Sequence, residues 1–218
     1  MELRVVTIDG PAASGKTSVS RELAKKLGWK WVSTGAFYRG LGYIARETQV
    51  DVNDEQALVD LIHKDNWQVK MSDEKTLFIY EGKDVSSDIF LEEVGNIASK
   101  VSGYPKVRQA LLEAQRVLAS ENYGLVAEGR DCGSVVFPKA KVKVYLTARS
   151  ESRAQRRAEE QGSDVQAMIH AQKVRDQQDA SRKAAPMQVP EGAHVIDTSE
   201  LNLDQVVAKV EELVKAAL

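Results

Sequence analysis

A chain of 218 residues with 43% hydrophobic and 28% charged residues is long enough to bury a sizeable core. Its formal net charge of −2 gives no overall attraction to a nucleic-acid backbone or an anionic membrane, so any anion binding must come from local clusters of Arg and Lys. No apolar run is long enough to span a bilayer, and a single cysteine, Cys132, excludes an intramolecular disulfide. The N-terminus enters a strand without a basic, apolar and cleavable leader. Together these features predict a cytoplasmic monomer that acts on small molecules, with no nucleic-acid or membrane partner. His63, His170 and His194 are scattered and show no metal-ligand spacing.

In chain order, Val5, Val6 and Ile8 predict a short buried strand. Gly10-Pro-Ala-Ala-Ser-Gly15-Lys16-Thr17 then fits G-x-x-x-x-G-K-[ST]. Thr17 to Leu27 turns helical, with Val19, Leu23, Ala24 and Leu27 on one side and Gly28 as C-terminal cap. Strand, loop and helix are the context this motif requires. Glycines at 10 and 15 let the backbone of Gly10, Pro11, Ala12, Ala13, Ser14, Gly15, Lys16, Thr17 and Ser18 wrap the polyphosphate of a nucleotide such as ATP. Lys16 adds a mobile cation, and the Thr17 hydroxyl is placed to ligand the Mg²⁺ that bridges terminal phosphates.

Lys30 to Thr34 predicts a second strand and Ala36 to Thr48 a helix, gathering polar groups at the carboxyl end of a sheet, where open α/β folds bind ligands. Asn53 is the expected cap of a short helix through Ile62. Trp67 to Met71 and Thr76 to Tyr80 then read as strands, and a turn at 81–84 leads to an extended piece at Val85. A small antiparallel patch amid βα units predicts an inserted subdomain at about residues 62–92.

Leu91 to Val101 predicts a helix, broken at Gly103, and a second helix starts on Pro105. Gly124 to Glu128 reads as a buried strand ending in Glu128-Gly129-Arg130-Asp131. Lys143 to Thr147 and His194 to Asp197 read as further strands, with charged helices over 150–161 and 165–183 between them and an amphipathic helix at the end. The alternation implies a parallel sheet covered on both faces.

Two charged helical faces stand out. Arg153, Arg156 and Arg157 lie at i, i+3 and i+4 and suit a phosphoryl group in flight, although pairing with Glu151, Glu159 or Glu160 would use the same letters. Arg175, Asp179 and Arg182 recur at i, i+4 and i+7, where two cations flanking a carboxylate can grip a phosphate monoester and sugar hydroxyls, or form surface ion pairs.

With those residues in view, the chain resembles the bacterial cytidylate kinases, a family of P-loop nucleoside monophosphate kinases. The match is carried by TIDGPAASGKTS (7–18), STGAFYRG (33–40), EGRDCGSVVFP (128–138) and the spaced set Arg175, Asp179, Arg182. The resemblance implies an α/β, P-loop NTPase-type three-layer fold with a five-stranded parallel sheet. Its core would be residues 1–61, 93–150 and 184–218, its nucleoside monophosphate-binding insert about 62–92, and its lid with the adjoining helix about 151–183. It implies phosphorylation of CMP, and of dCMP, by ATP with Mg²⁺. Lys16, Arg130, Arg153 and Arg157 would be catalytic, and Glu128 would reach the metal through water.

Thr34, Tyr38, Arg39, Ser99, Arg108, Arg130, Asp131, Arg175, Asp179 and Arg182 would surround the acceptor. Arg39, Arg130 and Arg175 would take its phosphate, Asp179 with Arg182 its sugar, and Ser99, Arg108 and Asp131 the cytosine edge. Cytosine's exocyclic amine needs an acceptor such as Asp131, and its N3 and O2 need donors such as Arg108 and Ser99; uracil reverses part of that pattern. Four departures accompany the match: Thr34 for Ser, Glu128 for Asp, Cys132 for a larger apolar residue, and Phe90 for a basic one at the end of the insert. A P-loop kinase of UMP, AMP or shikimate is the nearest alternative. No N-K-x-D motif supports a GTP-dependent switch.

Overall fold

The computed structural model describes residues 4–161, 169, 173–174, 177, 181 and 184–217, and of 157 and 159–161 the backbone alone. Five strands, β1 (Val5–Asp9), β2 (Lys30–Ser33), β6 (Leu125–Gly129), β7 (Val142–Thr147) and β8 (His194–Asp197), form one sheet in the order β2-β6-β1-β7-β8. Every pairing in it is parallel, as the alternation of strands and helices requires. From β1, at the centre, the chain crosses to β2 on one side, whereas β6 crosses past β1 to β7 on the other. The direction of winding therefore changes beside β1, and the crevice at the carboxyl ends of the strands opens there.

The period-two alternation of β1 assigns its side chains to opposite layers. Val6 and Ile8 pack with Val19, Leu23 and Ala24 of α1 (Lys16–Leu27) and with Val206, Val207 and Val210 of the C-terminal helix, α8 (Leu203–Ala217). Val5 points to the other face, where α2 (Gly35–Glu47), α3 (Glu55–Ile62), α5 (Glu92–Val101) and α6 (Pro105–Ser120) lie over the sheet. Thr7 and Asp9 alternate onto that same face, both with no exposed surface. Three layers result, and a polar carboxylate is carried into one of them.

The inserted segment forms an antiparallel sheet of β3 (Trp67–Met71), β4 (Thr76–Tyr80) and β5 (Lys83–Asp84), followed by a single helical turn, α4 (Ser86–Ile89). It has no core of its own. Phe78, Val85 and Ile89 are buried with Phe37, Leu41 and Leu111 in the layer that covers the main sheet. Phe78 stacks on Trp67 at 5.7 Å and 11° and lies over Gly40 of α2, where a Cβ would come within 1.9 Å of its ring. The tip of the β3–β4 hairpin is tied to the edge strand β2: Trp31 Nε1 donates to Asp73 O at 3.1 Å and Ser33 N to Thr76 Oγ1 at 2.9 Å.

Two local expectations are corrected. Asp54, not Asn53, caps α3, its carboxylate accepting from Ala57 N at 3.0 Å while Asn53 turns its side chain to Asp51. Val85 is not extended; it begins the turn α4, which Ser86 and Asp84 close by hydrogen bonds. No helix among the described residues is long and apolar enough to cross a membrane.

Candidate active site

The loop between β1 and α1 is built from residues in conformations that most side chains avoid. Gly10, Ala13 and Gly15 have φ of 145°, 56° and 91°. Gly10 is required twice over, since a Cβ there would sit 2.0 Å from Leu146 O. The loop delivers Gly15 as the cap of α1, so the first N–H groups of that helix face the loop's concave side. The Ser14 hydroxyl is buried in this loop with no partner among the described residues.

Cations close on the loop from three elements. Lys16 Nζ, itself buried, arches back to Pro11 O at 2.6 Å. Arg130, just past β6, donates to Gly10 O at 3.1 Å. Arg153, near the start of α7 (Ser150–Gln161), reaches Ala12 O and Ala148 O, each at 3.2 Å. Arg156 goes elsewhere, donating to Thr198 O at 2.6 Å and Thr198 Oγ1 at 3.1 Å. Arg153 and Arg156 therefore do not share one cage: Arg153 braces the loop and Arg156 the turn after β8, and the Arg157 side chain lies outside the described residues. Thr17 Oγ1 donates to Glu128 Oε1 at 3.2 Å, which joins a hydroxyl and a carboxylate at the mouth of the loop.

Beside this loop the far layer gathers a second polar group. Asp131 and Arg108 form a buried ion pair, 5% and 9% exposed. The Arg108 guanidinium also donates to Ser102 O at 3.0 Å and lies 5.3 Å above the Tyr38 ring. Ser102 in turn donates to Ser99 O at 2.9 Å. Tyr38, Arg108 and Asp131, drawn from α2, α6 and the segment after β6, thus meet in one cluster, and Ser99 of α5 joins its edge only through its backbone carbonyl. Thr34 is buried at the end of β2, its hydroxyl donating to Glu128 O at 2.9 Å with Cys132 Sγ at 3.4 Å. Arg39 donates to Ile89 O at 2.9 Å and covers the Phe90 ring at 5.3 Å, which ties α2 to the end of the insert. Arg175, Asp179 and Arg182 lie outside the described residues.

A family model for cytidylate kinase matches residues 6–216. A cytidylate kinase from Bdellovibrio bacteriovorus is 61% identical over 211 residues, 97% of each chain, and one from Aeromonas salmonicida is 42% identical over 94% of this chain and 91% of its own. The chain belongs to the cytidylate kinase family. Solved structures with the same fold include a gluconokinase from Sinorhizobium meliloti (TM-score 0.51, 13% identity, 99% of this chain and 94% of that one). A shikimate kinase from Bacteroides thetaiotaomicron is also similar (0.50, 12%, 97% and 98%), so the expected P-loop kinase fold is present.

Within this member of the family the departures noted in the sequence find physical explanations. Glu128 brings its longer side chain to Thr17, and Thr34 keeps the hydroxyl that meets the Glu128 carbonyl. Cys132 is fully buried, and burial and the neighbouring Asp9 carboxylate push its thiol well above the ordinary range. Phe90 takes the Arg39 cation on its face, so the insert touches a predicted acceptor residue through a ring in place of a charge.

Two contributors escaped the sequence reading. Gly129 has no room for a Cβ, which would lie 2.4 Å from Thr34 Oγ1. Asp9, which lies within the block 7–18 and was given no role of its own, accepts from Cys132 N at 2.8 Å and Gly133 N at 2.7 Å, and its burial raises its pKa from 3.8 to about 6. The available signal was a lone acid directly before the glycine loop.

Proposed function

We propose that the protein transfers the γ-phosphoryl group of ATP to CMP, and also to dCMP, with Mg²⁺ at the donor phosphates. The observation that supports this best is the contact between Arg130 and Gly10 O. It joins the phosphate loop directly to the segment that carries Asp131, so two nucleotides bound there would meet end to end. Glycine loop, helix N-terminus and Lys16 suit the donor's phosphates, and the Ser14 hydroxyl supplies a buried polar atom that suits one of their oxygens.

The Asp131–Arg108 pair suits cytosine. A carboxylate accepts from the exocyclic amine and a guanidinium donates to ring acceptors, whereas uracil would leave buried polar groups unpaired. Arg39 and Arg130 are assigned to the acceptor phosphate, and Arg175, Asp179 and Arg182 complete the grip on phosphate and sugar.

A hydroxyl and a carboxylate are hard oxygen donors, so Thr17 and, through water, Glu128 fit Mg²⁺. When bound, the ion neutralises charge on the donor phosphates. The acceptor phosphate oxygen is already ionised and needs no general base. The work of this chain is therefore to position both phosphates in line and to stabilise spreading negative charge with loop N–H groups, Lys16, Arg130, Arg153 and Arg157. A panel of CMP, dCMP, UMP, AMP and shikimate at fixed ATP tests the reading. The highest kcat/KM is expected for CMP or dCMP, and a preference for any of the others overturns it.

A further inference from the structure

A π-turn, Cys132–Val136, follows Asp131 and is gripped at both ends. At its start Asp9 uses both carboxylate oxygens, one on Cys132 N and the other on Gly133 N. At its end Arg116, a residue of α6 on the protein's surface, donates Nε to Val136 O at 2.9 Å and Nη2 to Val135 O at 3.0 Å. Between the grips, Asp131 O accepts from Val135 N at 2.9 Å and Val136 N at 3.2 Å. Any rotation of the turn therefore rotates Asp131, which sits in an irregular conformation with φ −146° and ψ 21°.

The chemistry of the two grips is specific. Cys132 and Gly133 present two adjacent N–H donors, and at this side-chain length only a carboxylate offers two acceptor oxygens; an amide would turn one donor against a donor. Gly133 is packed so closely that a Cβ would fall 2.8 Å from Thr7 Oγ1 and 3.2 Å from the Asp9 carboxylate, so nothing else can enter between strand and turn. Holding a charged side chain with no exposed surface at this point costs stability, which packing alone would not require. We propose that Asp9 and Arg116 are positioning residues that clamp the Cys132–Val136 turn and thereby set Asp131, with its partner Arg108, for reading the acceptor base. The inference rests on the cytidine nucleotide reading above. A misplaced buried acceptor forfeits its hydrogen bond, so the clamp acts on base discrimination.

The test is steady-state kinetics of the wild type, Asp9→Asn, Arg116→Gln and Arg116→Lys with CMP, UMP and ATP varied in turn. In Asp9→Asn and Arg116→Gln the KM for CMP is expected to rise about tenfold and the CMP-over-UMP ratio of kcat/KM to fall about tenfold, with the KM for ATP held within about twofold. Arg116→Lys, which keeps a donor, should recover part of the loss. Equal rises in the KM for CMP and ATP, or an unchanged CMP-over-UMP ratio, overturn the clamp. Should Asp9→Asn fail to fold, the surface variant Arg116→Gln decides by itself. A wild-type preference for an acceptor other than CMP or dCMP overturns the function and the clamp together, whereas a wild-type CMP preference that Arg116→Gln leaves intact overturns the clamp alone.

Discussion

Gly40→Ala probes how the insert is seated on the rest of the molecule. A Cβ at position 40 would fall 1.9 Å from Phe78 Cε2, 2.1 Å from Cζ and 2.4 Å from Cδ2. Carbon atoms attract best at about 3.5–4.0 Å, so the ring would have to retreat by roughly 1.5–2 Å. Phe78 has no exposed surface and is stacked on Trp67, so its ring cannot swing out into solvent. Overpacking of this kind costs about 1–3 kcal/mol, and the helix preference of Ala over Gly returns about 1 kcal/mol. The substitution should thus lower stability by up to about 2 kcal/mol, where the same change at an open helical site would raise it. Urea denaturation followed by tryptophan fluorescence measures this directly, with Trp67 in the stack as a local reporter. Adding Phe78→Leu should cost less in the Gly40→Ala background than in the wild type, because the smaller side chain relieves the clash. A Gly40→Ala protein more stable than the wild type, with unaltered fluorescence, would refute the tight seating of β4 on α2.

Three further outcomes follow from the site. Lys16→Met, near-isosteric and buried, should leave the urea midpoint close to that of the wild type while lowering kcat about 100-fold or more, and retained turnover would remove Lys16 from the chemistry. Thr17→Ala removes an exposed hydroxyl bonded to Glu128, so the Mg²⁺ concentration for half-maximal rate should rise about tenfold; a metal titration that superimposes on the wild type would contradict the role given to Thr17. Asp9 makes stability depend on pH with a definite sign. Its carboxyl titrates at about 6 in the folded protein against 3.8 ordinarily, so between those values the folded state holds more protons and stability falls as pH rises. The rise corresponds to about 3 kcal/mol. Relative to Asp9→Asn, the wild type should therefore lose most of that amount, about 2.4 kcal/mol, between pH 4 and pH 7, and a difference constant with pH in denaturant titrations would contradict the burial of its charge.

Much of the fold was readable because its signals are local. The β-branched run at Val5–Ile8, the spacing of Gly10, Gly15 and Lys16, and the Gly28 cap each arise from a few neighbouring residues, so the strand, loop and helix could be written down in order. What was misread turned on side chains competing for one backbone group, as when Asp54 rather than Asn53 took the Ala57 N–H. The short turn at Ser86–Ile89 and the π-turn at Cys132–Val136 have too few residues to show a period, and long-range contacts hold them. The arginines of α7 share a face as their spacing demands. Even so, Arg153 and Arg156 part company, because Ala12 O and the Thr198 carbonyl lie on different elements.

By itself the sequence determined the glycine loop and the membership of a kinase family, since both are encoded in short blocks of neighbouring residues whose geometry the backbone imposes. Only the tertiary structure decided that Asp131 pairs with Arg108, that Thr17 meets Glu128, and that Asp9 spans two N–H groups more than 120 positions away. Those partners come together through the crossing of β6 beside β1 and the packing of α6 above them. A contact of that kind depends on register and burial, which no stretch of neighbouring residues contains.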